Sequence, residues 1–113
     1  VTVAHTHFEI HSEREADTGR LRLLGELDLA SVAGVEQAVD AALAQGVRTL
    51  TLELSGLSFV DSSGLRLFIV LSQRAATEGW KLSMTRPQEQ AMTVFRVSGL
   101  VENLPFAEGA SKA

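Results

Sequence analysis

The sequence predicts a two-layer α/β domain: a mixed, mostly parallel sheet with its helices packed on one face. Three observations predict it. Four stretches alternate apolar and polar residues, so each strand buries one side only. A sheet covered on both faces would instead read as continuous Val/Ile/Leu runs. Helical apolar stripes, each closed by a glycine, fall between the later strands, and right-handed crossovers through them set the joined strands parallel. The first two strands follow one another with no helix between them, which adds an antiparallel hairpin at the edge.

The first strand carries Phe8 and Ile10 on one side and His5, His7, Glu9 and His11 on the other. Glu13 to Gly19 is polar and reads as a loop. Leu21 and Leu23 then alternate with Arg20 and Arg22 until Gly25 ends the pattern. Ser31 is placed to cap a first helix running to about Gln45 and closed by Gly46, with Val32, Val35, Ala38, Val39, Ala42 and Leu43 as its stripe. Leu50, Leu52 and Leu54 make the clearest strand, with Thr49, Thr51 and Glu53 opposite. Ser55 to Asp61 reads as a connection into a second helix from about Ser63 to Glu78, stopped by Gly79. Leu82 and Met84 alternate with Lys81, Ser83 and Thr85 in a further strand. Pro87 suits the start of a third helix with Ala91, Val94, Phe95 and Ser98 on its stripe, ended by Gly99. Leu104 and Phe106 suggest a last short strand.

The 113 residues suit one domain over residues 1–113, with an ordered core from about residue 6 to residue 106 and a fraying tail at 107–113. Leu, Ile, Val and Phe contribute 34 residues, enough for a core and too many for a disordered chain. The absence of cysteine excludes disulfide scaffolds, thiolate zinc sites and cysteine nucleophiles. No apolar run approaches the roughly 18 to 20 residues of a membrane span, and no signal peptide precedes the first strand, so no membrane insertion is expected. The net charge of −4, with eight Arg and two Lys scattered along the chain, gives no footprint for nucleic acid. A small, acidic, thiol-free domain of this kind is expected in the cytoplasm.

The stretch Phe59-Val60-Asp61-Ser62-Ser63-Gly64-Leu65 stands out, because it puts two hydroxyls and a carboxylate where a strand exit turns into a helix. The commonest role for Asp61 or Ser62 there is to cap the helix. A cap does not require two serines and a glycine together, and small residues at the tip leave the hydroxyls open to a visiting enzyme.

Leu57 to Leu65, Leu-Ser-Phe-Val-Asp-Ser-Ser-Gly-Leu, resembles the signature loop of the bacterial anti-sigma factor antagonists of the STAS domain family. Gly25-Glu26-Leu27-Asp28 is similar to that family's Gly-Glu-Leu-Asp segment, and Phe95-Arg96-Val97-Ser98-Gly99-Leu100 to its Phe-x-x-Ser-Gly-Leu block. The three blocks fall in the family's order across residues 8–106. The resemblance implies a STAS-like fold and a phosphorylatable binding module that needs no cofactor and is not an enzyme. It implies Ser62 as phosphoacceptor, with Asp61, Ser63 and Gly64 beside it and Asp28 near the same loop. The implied partners are an anti-sigma factor with serine kinase activity, bound while Ser62 is unphosphorylated so that a sigma factor is released, and a serine phosphatase that restores binding. The family's fourth helix has no counterpart among Ala107–Ala113. The alternative is a STAS subunit docking in another assembly, a stress-signalling scaffold or a membrane-transporter accessory.

At 100° per residue, Leu65, Phe68, Ile69, Ser72, Ala75 and Ala76 share one face of the second helix and should meet the sheet. Leu67 and Val70 then project from the opposite side, either against neighbouring helices or as a partner surface beside Ser62. His5, His7 and His11 with Glu9 share a strand face at a spacing two ligands of one ion could use, yet an exposed terminal strand favours a solvated face over a metal site. No Gly-x-Ser-x-Gly elbow or phosphate-cradling Gly-rich Lys-Ser/Thr loop is present, which argues against a serine esterase or a nucleotide enzyme.

Overall fold

The computed structural model describes residues 2–5, 7–99 and 104–106. In chain order the elements are β1 (Thr2–His5), β2 (Phe8–Glu15), β3 (Thr18–Leu27), α1 (Val32–Ala44), β4 (Thr49–Val60), α2 (Ser62–Glu78), β5 (Lys81–Met84) and α3 (Glu89–Ser98). Among the described residues the strands form one sheet in the order β1-β2-β3-β4-β5. β1–β2 and β2–β3 are antiparallel, and β3–β4 and β4–β5 are parallel. The expected mixed sheet with an antiparallel edge is what forms. The expected tail at 107–113 lies outside the described residues.

Side-chain alternation decides the layers. Leu21 and Leu23 of β3 and Leu50, Leu52 and Leu54 of β4 are fully buried, and Val35, Val39, Phe68, Leu71 and Phe95 of the helices join them in one core. The opposite sheet face is polar: Arg20 and Arg22 reach Glu53 at 2.9 and 4.0 Å, and the Thr51 and Ser83 hydroxyls hydrogen-bond at 3.0 Å. Phe68 of α2 stacks on Phe95 of α3 with ring centroids 5.9 Å apart, and Phe95 meets Phe106 edge-on at 5.6 Å. Across the helices, Arg74 of α2 bridges Asp40 of α1 at 2.9 Å and Glu78 at 3.0 Å. Arg74, then the Trp80 indole N–H, holds the Glu78 carboxyl below the usual carboxylate range. That stabilising contact is therefore present at neutral pH and lost as pH falls through the depressed value.

Several boundaries differ from expectation, each for a physical reason. The N-terminal strand is two strands, because the chain reverses at His7 (φ 75°), so His5 sits on β1 and pairs with Phe8. The histidines therefore do not share one strand face. Among the described residues no cluster of three metal-ligating side chains forms. Glu13 to Gly19 is mostly strand, closed by Ala16 and Asp17. Its residues 13–18 are exposed on both faces, so no apolar alternation marks them. β3 runs past Gly25 to Leu27, and β4 runs past Leu54 to Val60. Register shifts in the β3–β4 pairing space the buried residues of β4 three apart (Leu54, Leu57, Val60), which breaks the period of two. Gln88 stands at the N-cap of α3, one residue beyond Pro87, and the last expected strand is a single parallel bridge between Met84 and Phe106.

Gly25 has φ +99°, and a Cβ there would lie 2.0 Å from the His7 carbonyl oxygen, which accepts a hydrogen bond from Glu26 N–H at 2.8 Å. Leu67 is 5% exposed, not on an open outer face. The buried residues of α2 are Gly64, Leu65, Leu67, Phe68, Leu71 and Ala75, so its apolar stripe is wider than the sheet contact alone and reaches into the shared helix core.

Two substitutions test this packing. Gly25→Ala is expected to lose roughly 2 to 3 kcal/mol in chemical denaturation, because the left-handed backbone and the His7 carbonyl both oppose a Cβ. Leu67→Lys should lose about 3 kcal/mol or more, since an unpaired ammonium would replace core contacts. An unchanged unfolding midpoint in either variant would contradict the packing described.

Candidate functional site

The ends of β3 and β4 build one edge of the sheet. Leu27 and Val60 pair in parallel register, and Asp61 N–H donates to the Leu27 carbonyl at 3.1 Å. This hydrogen bond joins the turn after β3 to the turn after β4. Both lie at the carboxyl ends of parallel strands, where open α/β sheets place their binding sites.

Asp61 takes the capping role. Its backbone is extended (φ −99°, ψ −173°) and its Oδ1 accepts from Gly64 N–H at 3.1 Å. The Asp61 carbonyl accepts from Leu65 N–H at 3.1 Å, which starts the helical ladder. With the cap supplied by Asp61, helix α2 opens at Ser62, one residue earlier than expected. The Ser62 side chain is exposed, while Ser63 is half-buried. Gly64 is buried, and a Cβ there would lie 2.8 Å from Val60 Cγ1 and 3.0 Å from Leu27 Cδ2. The absence of a side chain lets the first turn of α2 settle on the strand ends.

The neighbouring turn is held from within. Asp28 Oδ1 accepts from Ala30 N–H at 3.0 Å, and Ser31 Oγ accepts from Asp28 N–H at 2.9 Å. The single Ser31 hydroxyl proton faces Asp28 Oδ1, Asp28 O and Glu26 O at 3.1, 3.2 and 3.3 Å. Ser31 stands at the N-cap of α1 but makes no side-chain cap; its buried hydroxyl ties the turn instead. Asp28 is thus beside the Ser62 loop through Leu27, and its carboxylate is engaged in its own turn.

Asp28, Asp61, Ser62, Ser63 and Gly64 are therefore brought to one edge. Leu67 is not part of an exposed surface there, and Val70 is half-buried further along α2. Sequence reasoning missed two residues. Leu29 and Phe59 are large apolar side chains left 74% and 46% exposed, and both belong to this edge. An apolar residue inside the turn after the Gly-Glu-Leu-Asp segment was the available signal for Leu29. Phe59 gave none, because its alternation with core residues is masked by the irregular register of β4.

The edge offers an exposed hydroxyl at a helix N-terminus, a carboxylate already spent on the cap, and apolar flanks. Among the described residues no helix is long and apolar enough to cross a membrane.

Comparison with known proteins agrees with this geometry. A family profile described as Mlab, STAS domain matches residues 10–105. The anti-sigma F factor antagonist of Lysinibacillus sphaericus is 34% identical over 95 residues, 83% of this chain and 80% of that protein. The anti-sigma factor antagonist SpoIIAA in its unphosphorylated form is similar at 28% identity and TM-score 0.71, over 87% of each chain. The Bacillus cell fate determinant SpoIIAA in its phosphorylated form is similar at 28% identity and TM-score 0.65, over 87% of this chain and 90% of that one. With the profile spanning nearly all of the sheet and helices, and the three sequence blocks lying at the ends of β3, β4 and α3, the chain belongs to the STAS domain family.

Proposed function

We propose that this protein is an anti-sigma factor antagonist, a binding module and not a catalyst, switched by phosphorylation of Ser62. Unphosphorylated, it binds an anti-sigma factor that is also a serine kinase, and so releases a sigma factor. Phosphate on Ser62 ends that binding, and a serine phosphatase restores it. The exposed Ser62 hydroxyl at the first position of α2, with Asp61 turned inward as the cap, carries the reading. The curated relative and the SpoIIAA structures in both forms support it.

The physics of the switch is local. Phosphorylation adds about −1.5 to −2 charges next to Asp61. In the free domain the group sits in water at a helix N-terminus, where an anion is tolerated, so the fold survives. In a complex the same dianion must lose its water beside a carboxylate and apolar side chains. A loss of about 3 kcal/mol is enough to weaken binding more than a hundredfold.

Ser62→Asp is expected to melt within a few degrees of the parent and to bind the purified anti-sigma kinase at least tenfold more weakly in titration calorimetry. Ser62→Ala should bind like the parent and accept no phosphate at this position. Undiminished binding by a folded Ser62→Asp would remove Ser62 as the switch and leave a docking subunit controlled in another way.

A further inference from the structure

We infer that Leu29 and Phe59 are the apolar anchors of the anti-sigma interface, seated in uncharged pockets of the partner at the edge that carries Ser62. The inference rests on the proposed function and specifies how that site is recognised. Only three large hydrophobic side chains are prominently exposed among the described residues: Leu29, Phe59 and Val97. Two of the three are at the edge that carries Ser62, and the third is on α3.

Backbone geometry places the two together. Leu27 pairs with Val60, and Glu26 pairs with Phe59, in adjacent parallel strands. Neighbouring strands lie about 4.8 Å apart and advance roughly 3.3 Å per residue. Leu29, two residues beyond Leu27, and Phe59, one residue before Val60, are then on the order of 10 Å apart, with Ser62 two residues beyond Val60. The Asp28 turn fixes the position of Leu29. Ser31 N–H and Val32 N–H both donate to the Asp28 carbonyl, at 3.0 and 3.1 Å, and the Asp28 carboxylate accepts from Ala30 N–H. Leu29 thus stands at the tip of a rigid turn.

Packing does not require Leu29 where it is. A residue 74% exposed contributes little to the core, and a polar residue would serve a solvated turn better. What covers them follows from area. A protein that reaches Ser62 Oγ in a standard interface takes about 800 Å² of this surface, a disc of roughly 16 Å radius that includes both residues. Hot spots concentrate near the dry centre of such a patch, and aromatic side chains, Phe among them, are enriched in interface cores. The occupant is therefore the kinase that phosphorylates Ser62, and its contact here is apolar. This arrangement also gives the phosphate its leverage: the dianion would share its edge with two groups that bind by excluding water.

The test uses the full chain and the purified anti-sigma factor kinase of the source organism. Leu29→Ser and Phe59→Thr are expected to keep the parental circular dichroism and to lose about tenfold or more in affinity each. Val97→Thr, altering a still more exposed apolar residue on α3, should bind like the parent. If Leu29→Ser and Phe59→Thr both bind like the parent while Ser62→Asp does not, the anchors are refuted and the Ser62 switch stands. If the parent itself does not bind the kinase, the proposed function fails and the anchors fail with it. If Phe59→Thr loses its fold, Leu29→Ser alone decides, because its side chain lies mostly in water.

Discussion

The parallel junction at Leu27 and Val60 is the contact on which the site depends. One hydrogen bond, from Asp61 N–H to the Leu27 carbonyl, holds two turns at a common edge. The close approach of Gly64 to both side chains lets α2 begin there without a gap. A larger residue at position 64 would have to push the first turn of α2 away from the strand ends, and Ser62 would move with it. The sheet below is positioned by ordinary means: buried leucines on one face, crossovers of fixed hand, and glycine-ended helices.

Two aspartates at this edge have different work, and hydrogen bonding separates them. Asp61 caps α2, and Asp28 closes its own turn against Ala30 and Ser31. With both carboxylates engaged by backbone N–H or hydroxyl groups, Ser62 is left as the exposed polar group at the head of the helix. In the proposed switch this matters because phosphate then changes the surface and not the fold. The group adds charge where water reaches it in the free protein and where a partner would exclude that water.

Much of the fold was legible in the sequence, for identifiable reasons. Leu50, Leu52 and Leu54 alternate because one sheet face is dry, and Gly79 and Gly99 stop helices because both take left-handed backbone at their ends (φ 81° and 76°). The hairpin tip at residues 13–18 was illegible because water reaches both of its faces. The extension of β4 to Val60 was hidden by register shifts that replace a period of two with a spacing of three. The loop at Asp61–Gly64 was readable from composition, though the choice of Asp61 as the cap needed the hydrogen bond to Gly64. Of the two readings open for Leu67, burial removes the partner surface: a helical wheel assumes one buried side, whereas α2 packs on the sheet, on α1 and on Phe95 of α3. Leu29 and Phe59 are the converse case: apolar residues that the turn and the strand end leave exposed.

The central claim is that the cap leaves Ser62, and not Ser63, as the hydroxyl presented to a kinase. The most direct measurement is site-resolved mass spectrometry of the parent chain after reaction with the anti-sigma kinase and ATP. A single phosphate on Ser62 is expected, with Ser63 unmodified because its side chain is half-buried in the first turn of α2. Phosphate on Ser63, or equal amounts on both, would contradict it.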